Sequence, residues 1–222
     1  VLRCRVPFIR FVLSSSPSWT SDYTIIGQYD FQKLAFCKPR EHKYWTSIVF
    51  EEYIWDIICY KGRFYAMNND GIWVCDTENP KQAKANVVVP WGLWPFVRHS
   101  FMAESAGDLL LVIFYSKEGD PSSRGFRVFK VPLRDGYWHS DLEVKDLGNR
   151  TLFVGNHSGS ISVVASDYGC KPNCIYFSFL YSYYGIYNMK DGTIQEHLGS
   201  RTLALRESLR SWLPHLWIQP SF

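Results

Sequence analysis

The sequence has almost no excess charge of either sign. Its 222 residues include 24 Lys and Arg against 21 Asp and Glu, which gives a formal net charge of +3. Blocks of like charge, which mark disordered tails and nucleic-acid arms, are missing. No basic patch carries aromatic residues between its charges. The sequence therefore predicts no nucleic-acid binding.

Long apolar runs are also missing. The longest uncharged stretch, residues 172–189, has 18 residues but contains five Tyr, two Asn and a Pro. A membrane-spanning helix needs about 20 mostly apolar residues, so we expect paired strands here and no membrane association. No secretory signal is found ahead of the glycosylation sequons at Asn149 and Asn156, and most of the six Cys lie in apolar runs. These features favour a reducing, cytoplasmic or nuclear location.

A mitochondrial location remains the alternative. Residues 1–21 contain three Arg, five Ser and no acidic residue, which is the composition of a transit peptide. The same residues also fit an ordinary β-strand at residues 7–13. Because the chain opens on Val rather than Met, we expect its true N-terminus to lie upstream.

Motifs for metal binding and catalysis are missing as well. Cys170 and Cys174 have the spacing of half a zinc site, but no second pair follows. The nearest approach to a nucleophile elbow, at residues 155–159, has His157 where serine is required. The six His are scattered, mostly beside turns or charges. We therefore predict a non-catalytic protein with no metal and no cofactor.

Aromatic residues are abundant at 17% of the chain, and they favour β-strands. Three short apolar segments, at residues 56–60, 63–67 and 72–75, are separated by Lys61-Gly62 and by residues 68–71. Both separators contain a glycine suited to a tight antiparallel turn. These residues predict a three-stranded meander.

The end of this meander recurs along the chain. The pattern apolar-x-apolar-(Cys, Phe or Tyr)-polar occurs at residues 34–38, 72–76, 126–130 and 184–188. The spacings between successive copies are 38, 54 and 58 residues, near the ~40–50 residues of one propeller blade. We therefore predict an all-β fold, a partial β-propeller of four to five four-stranded antiparallel blades, with a β-sandwich as the alternative.

The repeat sets approximate boundaries for a single domain. We expect blades at residues 7–50, 51–97, 98–147 and 148–200, followed by a C-terminal closing segment at 201–222 with one helix at 203–213. The innermost strands are expected in runs that are apolar on both faces. These runs are residues 24–29, 57–60, 109–115 and 174–177.

One loop is unusually aromatic. Trp91, Trp94 and Phe96 lie in a segment broken by Pro and Gly. They either fill a gap between two blades, as large apolar groups usually do, or form an anchor that binds a protein partner. We take the second interpretation as the candidate binding site.

Several stretches resemble the KIB-type β-propeller domain of plant F-box proteins, and they span nearly the whole chain in the family's order. They are residues 12–17, 34–39, 56–65, 104–112, 129–131, 147–155, 169–177 and 216–221. The segment Gly-Cys-Lys-Pro-Asn-Cys-Ile-Tyr-Phe at 169–177 is the most specific of them. The resemblance independently implies a propeller, and it implies that the domain recognises the protein substrate of a ubiquitin ligase.

The sequence departs from this family in two ways. Members usually carry an F-box near the N-terminus, and the 222 residues contain none, so we do not expect the ubiquitin-ligase adaptor to bind this chain. Residues 178–184 are mostly aromatic where members tend to have an acidic loop, so a partner contact of that loop does not carry over.

The resemblance favours a domain that holds a protein substrate whose identity the sequence does not give. Three alternatives stay open: a scaffold or organellar binding module with no ubiquitin role, a degenerate gene fragment, and an enzyme with carboxylates at a propeller mouth, for which no suitable pair is found.

A partial ring would leave blade faces uncovered. The apolar residues that we expect on such faces are Ile57, Phe64, Leu110, Ile113 and Phe177. Since exposed apolar faces promote association, we expect the isolated chain to self-associate.

Overall fold

The structure, a computed structural model, describes residues 8–41, 44–50, 53–91, 96–117, 123–156, 159–179 and 183–198. The chain divides into two compact units. The first comprises residues 1–93 and 131–140, and the second comprises residues 94–130 and 141–222. Segment 131–140 contacts the rest of the first unit where Trp138 Nε1 donates a hydrogen bond to the Pro90 carbonyl oxygen at 2.8 Å.

The first unit contains two four-stranded antiparallel sheets, each with its strands in chain order. Sheet 1 consists of β1 (Phe8–Leu13), β2 (Ile25–Tyr29), β3 (Lys33–Cys37) and β4 (Thr46–Ile48). Sheet 2 consists of β5 (Asp56–Tyr60), β6 (Arg63–Met67), β7 (Gly71–Cys75) and β8 (Ala85–Pro90).

The second unit also contains two sheets. Sheet 3 consists of β9 (Val97–Ser105), β10 (Asp108–Tyr115), β11 (Gly125–Lys130) and β12 (Glu143–Val144), all antiparallel and in chain order. Sheet 4 consists of β13 (Arg150–Gly155), β14 (Ile161–Val164), β15 (Cys174–Phe179), β16 (Tyr183–Asn188) and β17 (Ile194–Leu198). Its order is β14-β13-β15-β16-β17, and β13 runs parallel to β15. Two short 3-10 helices, Ser140–Leu142 and Ala165–Tyr168, complete the described secondary structure.

The predicted meander is confirmed as β5, β6 and β7. Lys61 and Gly62 both have positive φ, at 48° and 75°, as a two-residue hairpin turn requires. In the next turn the fully buried Asn68 side chain accepts hydrogen bonds from the backbone N–H groups of Asp70 and Gly71 and from Trp73 Nε1, at 2.9, 3.1 and 2.8 Å. The Asn68 side chain therefore supplies an acceptor for three N–H groups at a bend, where hydrogen bonds between paired strands do not.

The predicted repeat is also confirmed. Its copies lie on β3, β7 and β11, the third strand of sheets 1 to 3, and on β16, which precedes the last strand of sheet 4. The runs expected as innermost strands do form strands, but β2 and β10 are second in chain order, β5 is first and β15 is third. The all-β prediction is confirmed by four sheets of propeller-blade size.

The expectation about exposed blade faces is wrong for the residues named. Ile57, Phe64, Leu110, Ile113 and Phe177 are all buried, at 1–3% exposure. Ile57 and Phe64 belong to a core in the first unit and Leu110 and Phe177 to a core in the second, so facing sheets within each unit cover them. The exposed apolar positions of β1 are instead Ile9, Phe11 and Leu13. Self-association stays a prediction, and the helix expected at 203–213 lies outside the described residues.

Candidate functional site

Trp91 lies at the end of β8 in the first unit and is half-buried. Its ring makes an edge-to-face contact with Trp55, with centroids 5.7 Å apart. Its backbone N–H donates a hydrogen bond to the Asp70 carbonyl oxygen at 2.7 Å. Trp91 is therefore held on two sides by sheet 2 and its turns.

Phe96 immediately precedes β9 in the second unit. Its side chain is 55% exposed, and its φ of 63° lies in the left-handed region, which large residues rarely occupy. The Phe96 carbonyl oxygen accepts a hydrogen bond from the Ser116 N–H at 3.1 Å, which fixes this backbone to the end of β10. Trp94 lies outside the described residues. The aromatic-anchor prediction for Trp91, Trp94 and Phe96 stays a prediction.

Further aromatic rings of sheets 3 and 4 lie near the start of β9, the strand that follows Phe96. His99 stacks on Phe179 with centroids 4.3 Å apart, and Phe114 lies 6.1 Å from Tyr183. The Arg124 guanidinium lies over the Tyr183 ring at 5.9 Å. Burial lowers the pKa of His99, so its imidazole is neutral at neutral pH and packs as another aromatic ring.

A pocket of about 310 Å³ lies between sheets 3 and 4 in the second unit. Charged side chains line it together with aromatic and aliphatic ones. Its lining residues are Tyr115, Phe126, Arg127, Glu143, Val144, Lys145, Tyr187 and Met189.

Glu143 is the central charge of this pocket. Arg127 Nε donates to Glu143 Oε1 at 2.7 Å, and Lys145 pairs with Oε2. The hydrogen bond from Arg127, with the one from Lys145 and both cationic charges, lowers the Glu143 pKa to about 2. The rim therefore carries two cations and one anion at neutral pH, which gives it a net charge of one positive unit.

Sequence reasoning missed this pocket because its residues come from four separated strands or strand ends. Two signals point to it after the fact. Arg127 and Tyr187 lie within copies of the repeat, and Gly125 stands where a Cβ would come within 2.6 Å of the Tyr115 hydroxyl. Gly125 therefore makes room for one of the lining side chains.

The described residues contain no group of three or more His, Cys, Asp or Glu side chains that could hold a metal ion. In the described ranges, Cys37, Cys59, Cys75, Cys170 and Cys174 form no disulfide bond. Burial raises the pKa of Cys75 to about 12, so this thiol stays protonated and behaves as a small apolar side chain. In the described part of the chain, no helix has the length and apolar character to cross a membrane.

Comparison with known proteins gives a family match that covers most of the chain. The model of the KIB1-4 beta-propeller family matches residues 2–198. Putative F-box protein At3g25750 of Arabidopsis thaliana is 33% identical over 159 residues, which cover 68% of this chain and 43% of that protein. F-box protein At2g26160 of the same plant is 32% identical over 161 residues, covering 68% of this chain and 47% of that protein.

A third relative, F-box protein At2g17036 of Arabidopsis thaliana, is 28% identical over 185 residues, which cover 72% of this chain and 42% of that protein. The chain spans less than half the length of these three relatives. No solved structure matches the chain significantly. The family match and the four sheets confirm the β-propeller predicted from the repeat.

Proposed function

Because the chain belongs to the KIB1-4 β-propeller family, we propose that it is the substrate-binding domain of a plant F-box type ubiquitin-ligase receptor. In this proposal the domain holds another protein and performs no catalysis itself. The observation that carries it is the family match over residues 2–198, joined to relatives that are named F-box proteins.

Two features of the second unit support protein binding. Phe96 presents more than half of its side chain to solvent on a backbone fixed by Ser116, and aromatic side chains, Phe among them, are enriched at protein interfaces. The pocket around Glu143 places oriented charges beside aromatic side chains. Hydrogen-bonded ion pairs of this kind select partners by charge complementarity more than they add affinity.

The proposal is tested by proximity labelling in plant cells, with the chain fused to a biotin ligase. The wild-type chain is compared with Phe96→Ser and with Tyr137→Ser, which changes an aromatic side chain that is 71% exposed. We expect a set of proteins that the wild type and Tyr137→Ser label equally and that Phe96→Ser labels less. Identical labelling by all three proteins would contradict a role for Phe96 in binding.

The ubiquitin role needs a separate measurement. The half-lives of the labelled proteins are compared in plants with and without the complete gene, in the presence and absence of a proteasome inhibitor. Substrates of a ligase receptor are longer-lived without the gene, and the inhibitor removes the difference. If the half-lives of the labelled partners do not change, the domain is a scaffold module without a ubiquitin role. A fluorescent fusion should be cytoplasmic or nuclear, and a mitochondrial signal would favour an organellar module.

A further inference from the structure

Arg150, the first residue of β13, joins three strands of the second unit. Its Nε donates to Ser105 Oγ in β9 at 3.1 Å and to Ser162 Oγ in β14 at 2.9 Å. Its Nη2 donates to the Ser162 carbonyl oxygen at 3.0 Å. The two serine hydroxyls also form a hydrogen bond with each other at 2.7 Å. We call these three residues the Arg-Ser cluster.

The partners of Arg150 differ from those of Arg10 and Arg127. The Arg10 side chain pairs with Asp56, and Arg127 pairs with Glu143. Within the described ranges, Arg150 has no carboxylate within ion-pair distance, although it is half-buried. Ser105 is only 6% exposed. A partly buried cation that meets only neutral oxygens retains most of its attraction for an anion.

The Arg-Ser cluster has more N–H and O–H donors than its own hydrogen bonds use. A guanidinium has five N–H groups, of which the Nε–H is shared between the two serines and one Nη2–H is given to a carbonyl. The two hydroxyls supply two hydrogens, and one of these forms the serine-serine bond. Three N–H groups and one O–H therefore have no acceptor among the described residues. The cluster has an excess of donors beside a positive charge.

We propose that the Arg-Ser cluster binds a phosphoryl group. Arginine forks bind phosphate and carboxylate oxygens in a bidentate manner, and hydrogen bonds to a charged acceptor are roughly twice as strong as neutral ones. A phosphoryl group has at least three terminal oxygens, so it can accept from the guanidinium and from the serine hydroxyl together. A planar carboxylate offers two oxygens and is saturated by the fork.

Inorganic phosphate is the first probe. Its binding to the whole chain is measured by 31P NMR titration or calorimetry at constant ionic strength. We expect Arg150→Gln to weaken binding at least tenfold and Ser162→Ala to weaken it severalfold, because each removes charge-assisted donors. Arg63→Gln removes the same charge from an exposed position in the first unit and should bind phosphate as the wild type does.

The controls separate binding from folding and phosphate from other anions. Arg150→Lys keeps the charge without the fork, so a folded Arg150→Lys protein that binds phosphate as well as the wild type would overturn the proposal. Acetate that binds as tightly as phosphate would also overturn it, because the site would then be a carboxylate site. Phosphoserine that binds more tightly than free phosphate would identify a phosphorylated partner side chain as the source, and equal binding would identify a free anion.

Discussion

The Arg10 guanidinium in β1 forms a buried salt bridge with the Asp56 carboxylate in β5, with 10% and 4% of these side chains exposed. These are the first strands of sheets 1 and 2, so one ion pair joins the two sheets of the first unit. Asp56 Oδ1 also accepts the Ile57 N–H at 2.8 Å. The carboxylate is therefore both paired and hydrogen-bonded, as a buried charge must be.

Replacing Arg10 takes away the ion-pair partner of a buried carboxylate. We expect Arg10→Met to lower the free energy of unfolding by about 3–5 kcal/mol, the usual cost of breaking a buried ion pair. The measurement is urea-induced unfolding. Lys33→Met, which removes an exposed pair with Asp30, should cost about 1 kcal/mol or less. A similar small loss for both variants would show that the Arg10 pair contributes nothing beyond a surface pair.

Stability should depend on pH through Glu143. Its pKa is lowered from an ordinary 4.5 to about 2, chiefly by the Arg127 hydrogen bond. The ionised carboxylate therefore stabilises the fold above about pH 4.5, and this contribution is lost as the pH falls toward 2. We expect Glu143→Gln to be less stable than the wild type at pH 7, with the difference shrinking at pH 3.

The control for this prediction is the Arg127→Gln background. There the largest cause of the low pKa is removed, so Glu143→Gln should change stability less and with a weaker pH dependence. Unfolding midpoints in urea at the two pH values provide the comparison. If the wild type exceeds Glu143→Gln in stability by the same amount at pH 7 and pH 3, the lowered pKa of Glu143 is contradicted.

The parts of the fold that the sequence predicts are those determined locally. Gly62 gives its turn the positive φ it requires, so the meander follows from a few neighbouring residues. The strand that carries the repeat is recognisable because its pattern, apolar-x-apolar-(Cys, Phe or Tyr)-polar, recurs in each sheet. The parallel pairing of β13 with β15 was not predictable from the sequence. The intervening strand β14 pairs with the other edge of β13, and no local pattern determines that placement.

The functional features were less accessible to sequence reasoning for a related reason. The Glu143 pocket and the Arg-Ser cluster each unite side chains from sheets 3 and 4, and no local pattern fixes how two sheets pack. Phe96 was recognisable because a Pro- and Gly-broken loop with several aromatics is unusual at a surface. The same loop pattern could not reveal that Trp91 packs on Trp55, which depends on the register of sheet 2.

Gly185 in β16 should tolerate no side chain. A Cβ at this position would lie 2.6 Å from the Gln195 carbonyl oxygen and 2.9 Å from the Phe177 ring. Because the first of these atoms belongs to the backbone, β17 would have to move. We expect Gly185→Ala to lower the free energy of unfolding by about 1–3 kcal/mol, as overpacking does. Gly159→Ala, which meets nothing within 4 Å, should be close to neutral when measured in the same way.

The protein should purify without stoichiometric metal and should show no hydrolytic activity. The reason is the absence from the sequence of a second ligand pair to accompany Cys170 and Cys174 and of any nucleophile motif. Elemental analysis after purification in the absence of chelators is the measurement. One zinc ion per chain that is lost on replacing both cysteines with Ser would show this prediction to be wrong.

The last prediction concerns the aromatic loop of Trp91, Trp94 and Phe96. It distinguishes side chains that bind a protein partner from side chains that fill a gap within the fold. If Trp94 and Phe96 bind a partner, replacing either with Ala should weaken capture by about 2 kcal/mol, roughly 30-fold, and leave the melting temperature nearly unchanged. Trp91→Ala should behave in the opposite way, because its ring packs on Trp55 and its loss creates a cavity. A large fall in melting temperature for Trp94→Ala would show that Trp94 fills space within the fold, and Phe96 would then be the exposed member of the three on which binding depends.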